Sequence, residues 1–133
     1  MAAALLCAGC DGVYMYSYEG KLYQHDGTTP ARGVPLMIFA EPGQEVAKDD
    51  PIWQYVDART DQSGHFAGSF AEWTGWLFPI RPAAPKLDRV YLLVPSTHPI
   101  EIPVAGAGQK MTPMGREIPL PPIVLPEHAG VSN

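Results

Sequence analysis

Apolar residues in this chain alternate with polar or small residues over short runs, which is the period of a β-strand with one buried face. Clusters of Gly, Pro, Asp and Ser separate these runs and favour turns between them. No window keeps a helical period for more than about two turns. The predicted strands are residues 18–23, 35–40, 53–60, 65–73, 87–95, 98–104 and 116–126.

Residues 60–66 form the strongest turn signal and predict a hairpin between the third and fourth strands. The carboxylate of Asp61 can accept backbone N–H groups two or three residues further on, and Gly64 tolerates a positive φ. Alternation restarts at Phe66. Because a hairpin is not stable alone in water, the other strands must supply a second layer.

Two segments have unusual apolar patterns. Tyr14, Tyr16 and Tyr18 alternate, which predicts a strand whose aromatic side chains cover a sheet rather than bind a ligand. The strand of residues 35–40 is apolar on both faces, including Met37 and Phe39 on the second face. This pattern predicts a strand that is covered on both sides.

Composition narrows the class of protein. A chain of 133 residues with 46% hydrophobic residues is long enough for one domain with a core. The 15 Pro and 13 Gly residues favour short strands over long helices. The net charge of −5 and the nine Lys and Arg residues exclude nucleic acid as an expected partner. No apolar run reaches the roughly 20 residues of a membrane-spanning helix.

The N-terminal segment resembles a bacterial lipobox, in which small residues precede a cysteine that receives lipid. Ala8, Gly9 and Cys10 match this pattern, while Cys7 stands where Leu is usual and no basic residues precede the apolar run. The resemblance implies that residues 1–9 are a signal peptide remnant, with the true start possible upstream of Met1. It also implies a lipid on Cys10, a tether over residues 10–17, and a location in the bacterial cell envelope on the periplasmic or surface side. The alternatives are an apolar terminus without function and a disulfide between Cys7 and Cys10.

A second resemblance comes from turn and core residues at fixed spacing. They are Gly20, Lys21, Leu22, Asp26, Gly27, Pro30, Gly33, Val34, Thr60, Asp61, Gly64 and Phe66. This pattern resembles the carboxypeptidase regulatory-like domains, which are transthyretin-like (prealbumin-like) β-sandwiches. The resemblance implies an all-β, seven-stranded antiparallel Greek-key sandwich over residues 18–126, followed by a flexible tail at residues 127–133. It implies a fold and no particular chemistry.

Two segments are candidates for binding. Trp73 and Trp76 flank a Thr-Gly turn and could stack on a sugar ring or a partner chain; Tyr55 is the third expected contact. The alternative is that the tryptophans close one end of the sandwich. In the loop of residues 42–51, Glu45, Asp49 and Asp50 could hold calcium, although a solvated loop is favoured because their spacing matches no calcium loop.

No catalytic motif is found. His25, His65, His98 and His128 lie in different segments without the spacing of a metal site. Ser63, His65 and Asp61 have the composition of a triad, but neighbours in one turn cannot generally reach its geometry. The related hydroxyisourate hydrolases end in Tyr-Arg-Gly-Ser, and the related intradiol dioxygenases use Tyr and His ligands to iron; neither pattern is visible here.

The sequence therefore predicts a non-catalytic, lipid-anchored envelope module without metal or cofactor, which binds another protein or a glycan. Two alternatives stay open. The chain could be an enzyme or a metal-binding member of the transthyretin-like group, or a structural spacer of a surface assembly.

Overall fold

The computed structural model describes residues 13–73, 84–105 and 108–127. These residues form β-strands in two sheets and one short 3-10 helix, Pro51–Gln54, which confirms the all-β prediction. The strands are β1 (Val13–Tyr23), β2 (Pro35–Phe39), β3 (Ala58–Arg59), β4 (His65–Trp73), β5 (Arg89–Leu93), β6 (Ile100–Pro103), β7 (Lys110–Met111), β8 (Gly115–Pro119) and β9 (Ile123–Val124).

The first sheet has the order β4-β1-β8-β7, with β9 also paired to β1, and the second has the order β3-β2-β5-β6. β1 runs antiparallel to β4 but parallel to both β8 and β9. The parallel pairs differ from the wholly antiparallel arrangement that the sequence predicts. They arise because the chain re-enters the first sheet at the edge strand β7 and then turns into β8, which runs beside β1 in the same direction. β1 begins at Val13 rather than at Tyr18, so residues 13–17 belong to the sheet instead of a tether.

The core lies between the two sheets. Tyr14, Tyr16 and Tyr18 point inward from β1 and are 2%, 1% and 6% exposed. The ring of Tyr16 stacks on Phe70 of β4, with 5.4 Å between ring centroids. The second sheet contributes aliphatic side chains from β2 and β5, which are Leu36, Ile38, Val90 and Leu92. The alternating tyrosines are therefore core residues, as their pattern indicates.

The turn of residues 61–64 links the two sheets instead of closing a hairpin. β3 pairs with β2 in the second sheet, whereas β4 pairs with β1 in the first, so the predicted hairpin is wrong. Asp61 Oδ1 accepts the N–H of Ser63 at 2.8 Å and the N–H of His65 at 3.0 Å. These hydrogen bonds and that of the Ser63 hydroxyl lower the pKa of Asp61. The sequence therefore predicts the turn chemistry correctly and the strand pairing incorrectly.

Three further motif residues also act in turns. Asp26 Oδ1 accepts the N–H groups of Thr28 and Thr29. The hydrogen bond from the Thr29 hydroxyl, together with these two backbone bonds, lowers the pKa of Asp26 to about 2. Gly27 and Gly33 have φ angles of 78° and 66°. Both glycines therefore occupy backbone conformations that other residues adopt only at a cost.

The predicted strand of residues 53–60 begins instead as the 3-10 helix. Asp50 caps it, because its side chain accepts the N–H of Ile52 at 2.9 Å, and Pro51 supplies the helical φ at the first position. Trp53 is buried, and its indole donates to the carbonyl of Ala47 at 2.9 Å. Only Ala58 and Arg59 remain as a strand.

The outer face of β2 is also more open than predicted. Met37 is half-buried and Phe39 is 40% exposed, so within the described residues this strand is not covered on both sides. Since β3 pairs only with Pro35 and Leu36, the rest of β2 has no paired strand on that side among residues 13–73, 84–105 and 108–127. This gap forms the candidate site.

Candidate functional site

A groove with a volume of about 170 Å³ lies between β2 of the second sheet and β4 of the first. We call it the Tyr18 groove. It exists because β3 begins only at Ala58, so residues 55–57 lie outside the sheet and form a wall of the groove. Its lining residues are Tyr18, 36–39, 55–58, Gly68 and Ser69.

The hydroxyl of Tyr18 lies inside this groove. Its side chain crosses β4 at Gly68, where a Cβ atom would collide with the hydroxyl and would also lie 3.2 Å from Ala58 Cβ. Among the described residues, this hydroxyl makes no hydrogen bond, although Tyr18 is only 6% exposed. Buried polar groups are hydrogen-bonded in the great majority of cases. The hydroxyl is thus a donor and acceptor available to a ligand.

Burial raises the pKa of Tyr18 to about 12, and the nearby carboxylate of Asp57 adds to the shift. Both effects disfavour the tyrosinate, since its charge would be poorly solvated and close to another negative charge. Tyr18 therefore stays protonated at any physiological pH and can donate its proton in a hydrogen bond.

Exposed aromatic rings surround the groove opening. Tyr55 follows the 3-10 helix and is 80% exposed, and Phe39 of β2 also lines the groove and is 40% exposed. The Phe39 ring is held in an edge contact with Phe70, at 6.5 Å between centroids. Aromatic rings beside an unpaired hydroxyl and a carboxylate are suited to binding a ligand with both apolar and polar parts.

The predicted binding residues are distributed differently from expectation. Tyr55 lies at the groove. Trp73 ends β4, where its backbone pairs with Val13. Trp76 and Cys10 lie outside the described residues. Sequence reasoning missed Tyr18, Phe39 and Asp57 as site residues, and the only signal was Gly68 opposite Tyr18, which alternation alone does not reveal.

The groups considered for catalysis or metal binding act in turns and surface pairs. The Ser63 hydroxyl donates to Asp61 at 2.8 Å, while His65 Nε2 lies 2.9 Å from Glu19 Oε2. Glu45 lies 3.3 Å from His98 Nδ1, and Asp50 caps the 3-10 helix. Residues 13–73, 84–105 and 108–127 contain no group of three or more metal-ligating side chains.

Two other depressions are larger but have a weaker claim to be a site. One, of about 410 Å³, is lined by charged residues such as Glu19 and Lys110, and it shares Tyr18 and Gly68 with the Tyr18 groove. The other, of about 540 Å³, surrounds His98 and Glu45, which already pair with each other. Neither presents exposed aromatic rings like those of Tyr55 and Phe39.

The described part of the chain contains no helix of the length and apolarity that crossing a membrane requires.

Replacing Tyr18 with Phe is expected to leave the fold intact and to change its pH dependence. Removing a buried hydroxyl without a partner should raise the free energy of unfolding by up to about 1 kcal/mol at pH 7. The folded-state pKa of about 12 exceeds the ordinary value of 10.0, so ionisation of Tyr18 opposes folding, and wild type loses stability as the pH rises from 10 through 12.

Wild type should therefore lose about 1 kcal/mol more than Tyr18→Phe between pH 9 and pH 11. Denaturant unfolding of both proteins at the two pH values measures this difference. Equal losses in the two proteins would show that Tyr18 titrates normally and is not enclosed as described.

No protein-family model and no curated protein matches the chain. A solved structure that matches is the dioxygenase domain of a dioxygenase carbohydrate-binding protein fusion from the cellulolytic bacterium Streptomyces sp. SirexAA-E. The match has 14% sequence identity and a TM-score of 0.44, and it covers 84% of this chain and 79% of that one. This finding overturns the prediction that the chain is not an enzyme, which rested on the absence of a catalytic motif. A likeness of this size assigns no activity to the chain.

Proposed function

We propose that this chain is a ligand-binding module of the bacterial cell envelope, which takes a segment of another protein or a glycan in the Tyr18 groove. The observation that carries this proposal is the buried hydroxyl of Tyr18, which has no partner among the described residues and opens into a groove edged by Tyr55 and Phe39. A polar group left unpaired costs stability, and a ligand that pairs it recovers that cost on binding.

We also propose that the fold is the transthyretin-like Greek-key sandwich of the carboxypeptidase regulatory-like domains. The support is the path of the chain: β1 in the first sheet, β2 and β3 in the second, β4 in the first, β5 and β6 in the second, then the remaining strands in the first. Such crossings between sheets are typical of Greek-key sandwiches. Each of the seven predicted segments contains strand residues, although only residues 58–59 of the segment 53–60 are in a strand.

Lipid on Cys10 would hold the module at a membrane without a spanning helix. We expect wild type expressed in a bacterial host to incorporate labelled palmitate and to sediment with membranes. Cys10→Ser should remain unlabelled and soluble. Label on both proteins, or on neither, would contradict the anchor, and neither result would bear on the groove.

The binding role predicts that Tyr55→Ala weakens ligand binding by roughly tenfold, since truncating a central aromatic contact commonly costs more than 1 kcal/mol. Ligands would be selected with the soluble protein from a random ten-residue peptide display library and from an array of bacterial glycans. Met111→Ala is the matched control, because Met111 is 61% exposed but lies on β7, at the far edge of the first sheet. If both substitutions leave the affinity unchanged, the groove is not the binding site.

A further inference from the structure

Among the described residues, β4 forms the edge of its sheet, and this edge has an ordered row of backbone groups beside the Tyr18 groove. The N–H of Leu22 donates to the carbonyl of Gly64 at 2.8 Å, so these two residues form a hydrogen-bonded pair. They continue the register of β1 and β4, in which Tyr18 lies opposite Gly68. In an antiparallel pair, hydrogen-bonded positions alternate with positions whose N–H and C=O groups point away from the partner strand. The backbone groups of Ala67, Ser69 and Ala71 therefore point away from β1, and no described residue pairs with them.

β2 presents a matching group on the other side of the groove. The N–H of Thr60 donates to the carbonyl of Val34 at 3.0 Å, which fixes the alternation along the pair of β2 and β3. By this alternation Ile38 points its N–H and C=O toward the side where β3 has ended. No described residue pairs with those groups on that side. The groove is therefore flanked by two strand edges with free hydrogen-bonding groups.

The edge of β4 also lacks the features that protect sheet edges from pairing. Exposed edges are commonly blocked by Lys or Pro. β6 ends in Pro103 and β7 begins with Lys110, so two of the three other described edges contain such residues. Residues 66–71 of β4 contain neither, and the outward side chains of Ala67, Ser69 and Ala71 are small. These side chains therefore present no bulky or charged group to a further strand.

The charge along the groove is negative. Asp57 lines one part of it. Glu41 and Glu72 follow Phe39 and Phe70, whose rings are in contact, by two residues each. Burial is the larger cause of the raised pKa of Glu72, and the nearby carboxylate of Glu41 adds to it. No lysine or arginine is among the residues that line the groove. A basic ligand would thus be favoured by charge.

We propose that the Tyr18 groove binds an extended, basic peptide segment of another protein, which adds to β4 as a further strand and places a Lys or Arg side chain near Asp57. Backbone bonds to Ala67, Ser69 and Ala71 supply affinity, and alternate side chains of the peptide enter the groove beside Tyr18 and Tyr55. This inference rests on the proposed function, because it names the class of ligand that the groove takes.

The probe is a ten-residue peptide selected from the random display library and then synthesised. We expect selected sequences to be rich in Lys, Arg and β-branched residues. Asp57→Asn should lower the affinity for the peptide by about two- to fivefold, which is the range expected for an exposed ion pair. Added salt should reduce the difference in affinity between wild type and this variant. Equal enrichment of acidic and basic peptides would overturn the charge argument.

The strand edge is tested by a matched pair of substitutions at Ser69. Ser69→Pro removes the free N–H and obstructs the edge, but it leaves the hydrogen bonds to β1 intact because that N–H points away from β1. Ser69→Ala removes only the side-chain hydroxyl. We expect Ser69→Pro to reduce binding at least tenfold, and Ser69→Ala, which keeps the backbone N–H, to reduce it by no more than about twofold. Equal binding by both variants would overturn the inference.

A second measurement does not depend on the stability of a variant. N-methylation of single peptide residues should abolish binding at alternate positions, because only every second N–H of an added strand faces β4. In wild-type protein, amide exchange at Ala67, Ser69 and Ala71 should slow when the peptide binds. An N-methyl scan without period two, or unchanged exchange at these amides, would contradict strand addition.

The outcomes separate this inference from the proposed function. A glycan that binds in a manner dependent on Tyr55, with no peptide selected, would overturn the inference and leave the ligand-binding module standing. No ligand from either collection, or ligands insensitive to Tyr55→Ala, would remove the proposed function itself.

Discussion

Gly64→Ala is expected to lower the free energy of unfolding by about 3 kcal/mol, whereas Gly27→Ala should lower it by only about 1 kcal/mol. Both glycines have a positive φ, 82° for Gly64 and 78° for Gly27, so both substitutions carry the same conformational cost. A Cβ at Gly64 would lie 2.5 Å from the carbonyl oxygen of Leu22, but a Cβ at Gly27 would meet no atom within 4 Å. The difference between the two variants isolates the steric term.

The collision at Gly64 cannot be relieved by a side-chain rotation, because the obstructing atom belongs to the backbone. That same carbonyl of Leu22 accepts the N–H of Ala31 at 2.9 Å, while the N–H of Leu22 donates to Gly64. Moving it would therefore disturb β1, the segment that precedes β2, and the link between the sheets. Urea unfolding of wild type and both variants measures the free energies. Similar losses for Gly64→Ala and Gly27→Ala would show that the close approach is absent in solution.

Local chemistry explains which parts of the fold could be predicted from the sequence. Side chains that hydrogen-bond within a few residues, such as Asp26 and Asp61, leave a pattern that can be read without knowledge of the rest of the chain. The alternation of Tyr14, Tyr16 and Tyr18 likewise reports one buried face. These features depend on sequence neighbours, and the structure agrees with the predictions drawn from them.

Features that depend on distant partners were not predictable in the same way. The turn at Asp61 looks alike whether it closes a hairpin or crosses between sheets, because the choice is made by pairing of β4 with β1. The sequence predicts a strand where the 3-10 helix forms, because Trp53 and Tyr55 alternate with other residues as side chains on one face of a strand do. Asp50 and Pro51 supply helix-start chemistry that outweighs this alternation.

The Tyr18 groove could not be found from the sequence for the same reason. It is formed by the late start of β3 at Ala58, by the side chain of Tyr18 crossing β4, and by the aromatic rings of Phe39 and Tyr55. These elements come from separate parts of the chain, and no short motif contains more than one of them. Tyr55 was selected for its aromatic ring alone, and its position at the groove follows from the helix that precedes it.

Gly68→Ala is expected to be the most damaging substitution for ligand binding and to lower the free energy of unfolding by about 2 kcal/mol. The new methyl group would collide with the hydroxyl of Tyr18 and lie 2.7 Å from its Cζ atom, so the ring must move. Since Tyr18 is also enclosed by Phe66 and Phe70, the ring cannot move without disturbing the core.

Tyr18→Phe should relieve part of this collision, because it removes the atom nearest to the new methyl group. In the Tyr18→Phe background we therefore expect Gly68→Ala to cost about 1 kcal/mol less than in wild type, a coupling of the size found between residues in contact. The four proteins of this cycle would be unfolded in urea under one set of conditions. Additive effects would mean that the Tyr18 ring does not lie over Gly68, and the groove would then lack the buried hydroxyl that makes it a binding site.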